Sequence, residues 1–151
     1  MELTISRNMT ESVSRSNESF LPPSKRAARR ILQRAFVLTG RDRKLRQHIR
    51  EVRFTTLWVV EDWDLRWTVI IDHGKIEFDR RPAKHPDLTL NWQTADEFFS
   101  AAGENASPQN RVDSAVDLEL KRVTNTLLKF FLGYLGDVLR NPLDAAGESL
   151  L

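Results

Sequence analysis

The chain has no cysteine, which removes disulfides, thiolate nucleophiles and cysteine-bound metals together. Tyrosine occurs once, methionine twice and histidine three times. The histidines are His48, His73 and His85, and only His48 has a carboxylate at a metal-like helical spacing, Glu51. Arg46, Arg50 and Arg53 crowd that pair with positive charge, so neither a metal nor another cofactor is expected. No glycine-rich phosphate loop follows a strand pattern and no G-x-S-x-G elbow occurs. No apolar run approaches the ~20 residues of a membrane span. The first residues lack the apolar core of a secretory signal, which predicts a cytoplasmic protein.

Charge, by contrast, is abundant and unevenly placed. Residues 24–53 hold 11 Lys/Arg against 2 Asp/Glu, a net +9, whereas residues 54–151 hold 10 against 16, a net −6. A basic head on an acidic body points to a phosphate-bearing surface, such as a peripheral site on an anionic membrane. Ser24 is a candidate N-cap for an amphipathic helix over Lys25 to Leu38, with Gly40 as its stop. Arg26, Arg29, Arg30 and Arg34 fill its polar half and are the candidate membrane or anion contacts. A solvated face is the competing account, and the missing recognition-helix, zinc-finger and RNA-sheet signatures argue against nucleic acid. A shorter helix from about Asp42 to Glu51 should bury Leu45 and Ile49.

The stretch from Asp64 to Phe99 is the centre of the chain. Leu65, Trp67, Val69 and Ile71 alternate with polar or outward residues, the period of a half-buried strand. His73-Gly74 predicts a two-residue turn, with glycine where φ is positive, and Lys75–Asp79 returns antiparallel. Asp87–Trp92 alternates again, and Thr94 with Glu97 opens a helix carrying Phe98 and Phe99. Val52–Val60 precedes the group as a further strand, joined to it by an acidic turn in which Asp62 and Asp64 read as solvated. Ala115–Leu120 (AVDLEL) follows as a fifth strand. Residues 1–23 read as a disordered tail, 24–140 as one domain, and 141–151 as a loose end.

Lys121 to Arg140 predicts a long last helix whose apolar positions sweep out about 180°. A helix packed on one side needs a stripe of only ~100°. This one must meet a second surface besides the sheet: another helix, a second subunit, a membrane or a bound apolar ligand. Gly133 and Gly136 fall on its polar side, where each costs ~1 kcal/mol against Ala and allows a kink. Trp67, Trp92, Phe98, Phe99, Leu127, Phe130, Phe131, Tyr134 and Leu135 are the candidates for lining a lipid cavity; an ordinary core is the alternative.

DLRWTVIIDHGKIEF, PDLTLNW and the TADEFFSAAGE helix, in this order and spacing, resemble the sterol carrier protein 2 superfamily. The match falls on Trp67, Asp72, Gly74, Asp87, Thr89, Leu90 and Asp96. It departs at Ser114 and Lys121-Arg122, where the family carries Gly and Gly-Asp. The basic helices and DLRW strand look most like the accessory lipid-binding proteins of bacterial quinone biosynthesis. The resemblance implies an α+β fold: five strands, mainly antiparallel, covered by helices around an apolar tunnel for a sterol, acyl or isoprenoid lipid, without catalytic residues. The expected partners are a long-chain lipid, an anionic membrane and a partner enzyme. Two rival readings stay open: an interaction module dimerising through the last helix, and a small isomerase or cyclase using Asp87 or Asp117.

Overall fold

The structure, a computed structural model, describes residues 20–103 and 117–151. It is α+β, with a four-stranded mixed sheet among the described residues. The first helix, α1 (Lys25–Gly40), is capped by the Ser24 side chain, which accepts from the Ala27 N–H at 3.2 Å. Its buried face is Ala27, Ala28, Ile31, Leu32, Ala35, Phe36 and Thr39, and the Thr39 hydroxyl is satisfied by the Ala35 carbonyl at 2.7 Å. The next helix, α2 (Arg43–Ile49), takes Asp42 as N-cap and buries Leu45 and Ile49, as the sequence predicts.

Four strands follow: β1 (Arg53–Val60), β2 (Leu65–Asp72), β3 (Lys75–Asp79) and β4 (Leu88–Trp92). They lie in the order β3-β2-β1-β4, with β1–β2 and β2–β3 antiparallel and β1–β4 parallel. The register places Trp58 between Trp67 on one side and Leu90 on the other. Because side chains alternate, one sheet face collects Phe54, Thr56, Trp58, Trp67, Val69, Ile71, Leu88, Leu90 and Trp92. Thr56 is tolerated there because its hydroxyl donates to the Val69 carbonyl at 2.7 Å and accepts from the Trp58 indole at 2.8 Å. At the β2–β3 turn both His73 (φ 50°) and Gly74 (φ 92°) are left-handed, the paired geometry that a two-residue hairpin twisting with its strands requires.

The acidic turn between β1 and β2 does more than face solvent. Glu61–Trp63 is one 3₁₀ turn closed by Asp64 in the left-handed region. The Asp62 carboxylate accepts from the Ala95 N–H at 2.9 Å, while Thr94 accepts from Glu97 at 3.1 Å. Two side chains from distant parts of the chain thus cap the short helix α3 (Ala95–Ser100). Asp87 clips the start of β4 to β1. Its N–H donates to the Thr55 carbonyl at 2.8 Å, and its carboxylate accepts from the Thr55 N–H at 2.7 Å.

The last helix, α4 (Leu118–Arg140), corrects the expected fifth strand. Asp117 is an N-cap, accepting from Glu119 at 2.8 Å, and Leu118–Leu120 are the first helical turn. Helix starts prefer Asp at the cap, and this local preference outweighs the short alternation of AVDLEL. Residues 115 and 116 of that expected strand, like residues 1–19 of the expected tail, lie outside the described residues. After α4 the chain predicted to be loose turns back on itself. Leu143 bridges Ser149, the Leu150 N–H donates to the Pro142 carbonyl at 2.8 Å, and Leu150 is buried.

The breadth of the α4 apolar arc is explained inside the chain. Phe131 meets Trp58 of the sheet edge-on at 5.2 Å and stacks on Phe36 of α1 at 4.2 Å. Val123, Leu127, Leu128, Leu132, Leu135 and Val138 are also buried. On a further side the Gly103 N–H donates to the Leu132 carbonyl at 2.9 Å. Gly136 faces that contact, and a Cβ there would lie 2.7 Å from the Gly103 Cα. This glycine is therefore a close-approach position and not a polar-side weakness, whereas a Cβ at Gly133 would meet nothing within 4 Å.

Candidate lipid and anion interface

The predicted lipid-lining residues divide into two groups. Trp67, Trp92, Phe98, Phe99, Leu127, Phe131 and Leu135 are buried in one continuous core. Its rings touch in sequence: Trp58–Trp92 at 5.6 Å, Trp92–Phe98 at 4.8 Å, Phe98–Phe99 at 5.0 Å and Trp67–Phe98 at 5.8 Å. Such edge and stacked contacts are what a filled aromatic core makes. Trp67 differs from Trp58 in one respect. It is 1% exposed, yet among the described residues its indole N–H has no hydrogen-bond partner, and neither do Thr124 Oγ1 and Asn125 Oδ1.

Phe130 and Tyr134 form the second group. Both are half-buried and line an open groove of about 430 Å³ with Asp42, Lys129, Gly133 and Asp137. The groove lies where α4 passes the start of α2, and the His48 ring is 6.5 Å from Phe130. Its floor is apolar because Gly133 withholds a side chain between two aromatics. At its edge the Tyr134 hydroxyl donates to Asp42 Oδ2 at 2.5 Å.

That bond shifts both partners. The Asp42 hydrogen bond, then burial, then the Asp42 and Asp137 charges push the Tyr134 phenol up to about 12. Burial would raise the Asp42 carboxyl, but the Tyr134 hydroxyl, the Leu45 and Lys44 N–H groups and the Lys44 charge hold it below its usual value. At neutral pH the groove thus presents a neutral phenol, two carboxylates and the Lys129 ammonium on an apolar floor. The bond thus moves both partners away from neutrality, the phenol upward and the carboxyl downward. Sequence reasoning placed Phe130 and Tyr134 but missed Asp42, Lys129 and Asp137 beside them. Their pairing depends on how two helices cross, and only the capping position of Asp42 is visible in a linear pattern.

The two carboxylates considered for an isomerase or cyclase are both structural: Asp87 is held by Thr55 and Asp117 caps α4. Among the described residues no group of three or more His, Asp or Glu could hold a metal ion. No described helix is long and apolar enough to cross a membrane.

The predicted basic contacts also separate in space. Arg26, Arg29 and Arg30 are exposed, and Arg34 is half-buried. Arg29 leans over a narrow slot of about 20 Å³ floored by Leu32, Leu65, Trp67 and Phe78, where Arg66 and Arg80 also stand. Arg34 borders a cleft of about 310 Å³ beside Leu38, Asp137 and Asp144. Among the described residues none of the four has a carboxylate within ion-pair distance, and neither do Lys25, Arg41, Arg43, Lys44 and Arg46. Arg50, Arg53, Arg66, Arg81 and Arg122 are all paired. The unpaired charges also sit unfavourably. α1 carries Lys25 and Arg26, and α2 carries Arg43 and Lys44, in first turns without any acidic residue. The helix dipole disfavours cations there by ~0.3–1 kcal/mol each. Compared with known proteins, this chain matches no family model, no curated protein and no solved structure.

Proposed function

We propose that the protein is a non-catalytic lipid binder of the sterol carrier protein 2 type, which docks its basic head on an anionic membrane surface and presents a long apolar ligand there or to a partner enzyme. One observation carries the docking half: nine cations between Lys25 and Arg46 have no ion-pair partner among the described residues, and four of them oppose the dipoles of their own helices. Of these charges only Lys44 gains from a neighbour, the Asp42 carboxylate, and an external anion supplies the rest with a partner, each being worth ~1 kcal/mol near an anionic surface.

The ligand half rests on the resemblance and on the groove. Helices, hairpin, fourth strand and capped helix follow one another in the order that the resemblance implies, four strands being described and not five. The groove volume, about 430 Å³, falls in the ~300–1,000 Å³ range of small-molecule sites. In this reading Phe130, Gly133 and Tyr134 take the first contact with the apolar chain, and Lys129 faces an anionic head. The aromatic core from Trp67 to Phe131 would have to part for an internal tunnel to open beneath it. The dimerisation reading loses its main support, since the wide arc of α4 is buried within one chain.

Co-sedimentation with lipid vesicles tests the docking. Binding should require anionic headgroups and fade with added salt, because exposed charges are screened over ~8 Å at physiological ionic strength. Arg26→Glu with Arg30→Glu should abolish it with little change in thermal stability. Equal binding to neutral vesicles would reduce the basic face to solvated charge. Displacement of a fluorescent acyl probe by chains of increasing length tests the ligand half, since each buried methylene is worth ~0.8 kcal/mol. A response flat with length would count against an apolar site.

A further inference from the structure

The tip of the β2–β3 hairpin rests against the last turn of α2 and forms a second concavity, separate from the groove. It measures about 300 Å³ and is lined by Arg46, Gln47 and Arg50 on the helical wall and by His73, Gly74 and Lys75 on the hairpin wall. Among the described residues no carboxylate lines it. Two of its lining side chains already have carboxylate partners: Arg50 meets Glu51 at 3.4 Å, and the His73 Nδ1 meets Asp72 at 2.8 Å, with Arg53 on the same carboxylate at 3.6 Å. The two walls are set against each other by the turn itself. The His73 N–H donates to the Val52 carbonyl at 2.9 Å, and a Cβ at Gly74 would lie 3.7 Å from the Arg50 Cβ.

The cations are held in different ways. The Arg46 Nε donates to the Gly40 carbonyl at 3.0 Å, which fixes one edge of its guanidinium. Lys75, directly after the turn, has no ion pair among the described residues. The Arg50–Glu51 pair is exposed on both sides, 69% and 85%, and such pairs exchange readily for a better acceptor. Two arginines, a lysine and a histidine therefore border one small volume from opposite walls, together with Gln47.

We propose that this cleft binds a phosphomonoester, a tetrahedral dianion whose terminal oxygens can be shared between the guanidinium forks of Arg46 and Arg50 and the ammonium of Lys75. Arginine forks match phosphate geometry, and charge-assisted bonds of this kind are the strong ones. The phosphate belongs either to a soluble metabolite or to a lipid headgroup at the membrane. The site stands on its own residues and does not depend on the apolar groove.

Titration of the full chain with inorganic phosphate and with glycerol 3-phosphate, followed by calorimetry, forms one arm. The other is sedimentation with vesicles containing phosphatidic acid, compared with phosphatidylglycerol vesicles of equal surface charge. Saturable binding in the first arm assigns a soluble phosphate. Binding confined to phosphatidic acid vesicles assigns a headgroup. In either case Arg50→Ala and Lys75→Ala should each weaken binding about tenfold, the loss of one charge-assisted contact, whereas Lys84→Ala removes an equal charge elsewhere and should change it little. Thermal melts confirm that each variant is folded. Absence of binding in both arms, or equal losses from Lys84→Ala and Lys75→Ala, overturns the site. The acyl-probe titration is read separately, so its failure and this one are distinguishable.

Discussion

Tyr134 is the only tyrosine of the chain, so its ionisation can be followed by the ultraviolet absorbance of phenolate without assignment. Its hydroxyl donates to Asp42, and the phenol is pushed from 10.0 up to about 12. A group whose pKa is raised by folding stabilises the fold fully below its unfolded value and loses that contribution as pH climbs through the folded one. The stabilisation is therefore present below about pH 10 and disappears towards pH 12. Moving a phenol over that interval is worth at most ~2.7 kcal/mol. Tyr134 borders an open groove, where solvent screens the bond, and ~1 kcal/mol is the expected contribution. Spectrophotometric titration of the native chain should give a midpoint well above that of the urea-unfolded chain. Circular dichroism at each pH separates ionisation from alkaline unfolding. Asp42→Asn keeps a good N-cap for α2 but removes the charge, and should return the midpoint towards 10.0. A double-mutant cycle with Tyr134→Phe should give a coupling near ~1 kcal/mol. A native tyrosine titrating near its usual value, or one indifferent to Asp42→Asn, would refute the reasoning.

Phe131→Ala should cost ~3–5 kcal/mol in chemical denaturation, because a fully buried ring stacked on Phe36 leaves a void when removed; a loss of only ~1–2 kcal/mol would mean open space beside it. The two glycines of α4 should respond with opposite signs. Gly136→Ala drives a Cβ into the Gly103 backbone and should destabilise by ~1–3 kcal/mol. Gly133→Ala meets open space and should gain up to ~1 kcal/mol of helix propensity while narrowing the groove, which weakens any ligand held there. Melting curves of the two variants, read side by side, check both.

Period and punctuation carried most of the architecture. The alternation of Leu65–Asp72, the His73-Gly74 turn and the Ser24 and Thr94 caps are local patterns, and each has its predicted structure. The error at AVDLEL was also local: Asp117 reads equally as a strand residue or a helix cap, and a short alternation cannot decide. What the pattern could not carry was the use made of polar side chains between elements. Asp62 looked like a solvated turn because its acceptor role depends on Ala95, brought close only by folding. Similarly, the wide apolar arc of α4 announced a second contact surface but not that α1 and the Gly103 turn would supply it. Among the cavity candidates, Phe130 and Tyr134 line the open groove and Trp67 floors the narrow slot beside Arg29, since a helical wheel ranks positions by angle and not by what lies opposite.

The parallel pairing of β4 with β1 has a consequence for the order in which the fold assembles. β1, β2 and β3 form a meander whose contacts are close in sequence, but β4 must travel back past both hairpins to reach β1. Its contacts are rewarded only after that longer loop has closed, so the meander can nucleate before β4 docks. The Asp87–Thr55 exchange then acts as a latch that sets the register on arrival. Interactions formed after the rate-limiting step are felt in unfolding. Stopped-flow measurements on Asp87→Ala should accordingly show faster unfolding at a nearly unchanged folding rate, and a slowed folding limb would instead place β4 in the nucleus.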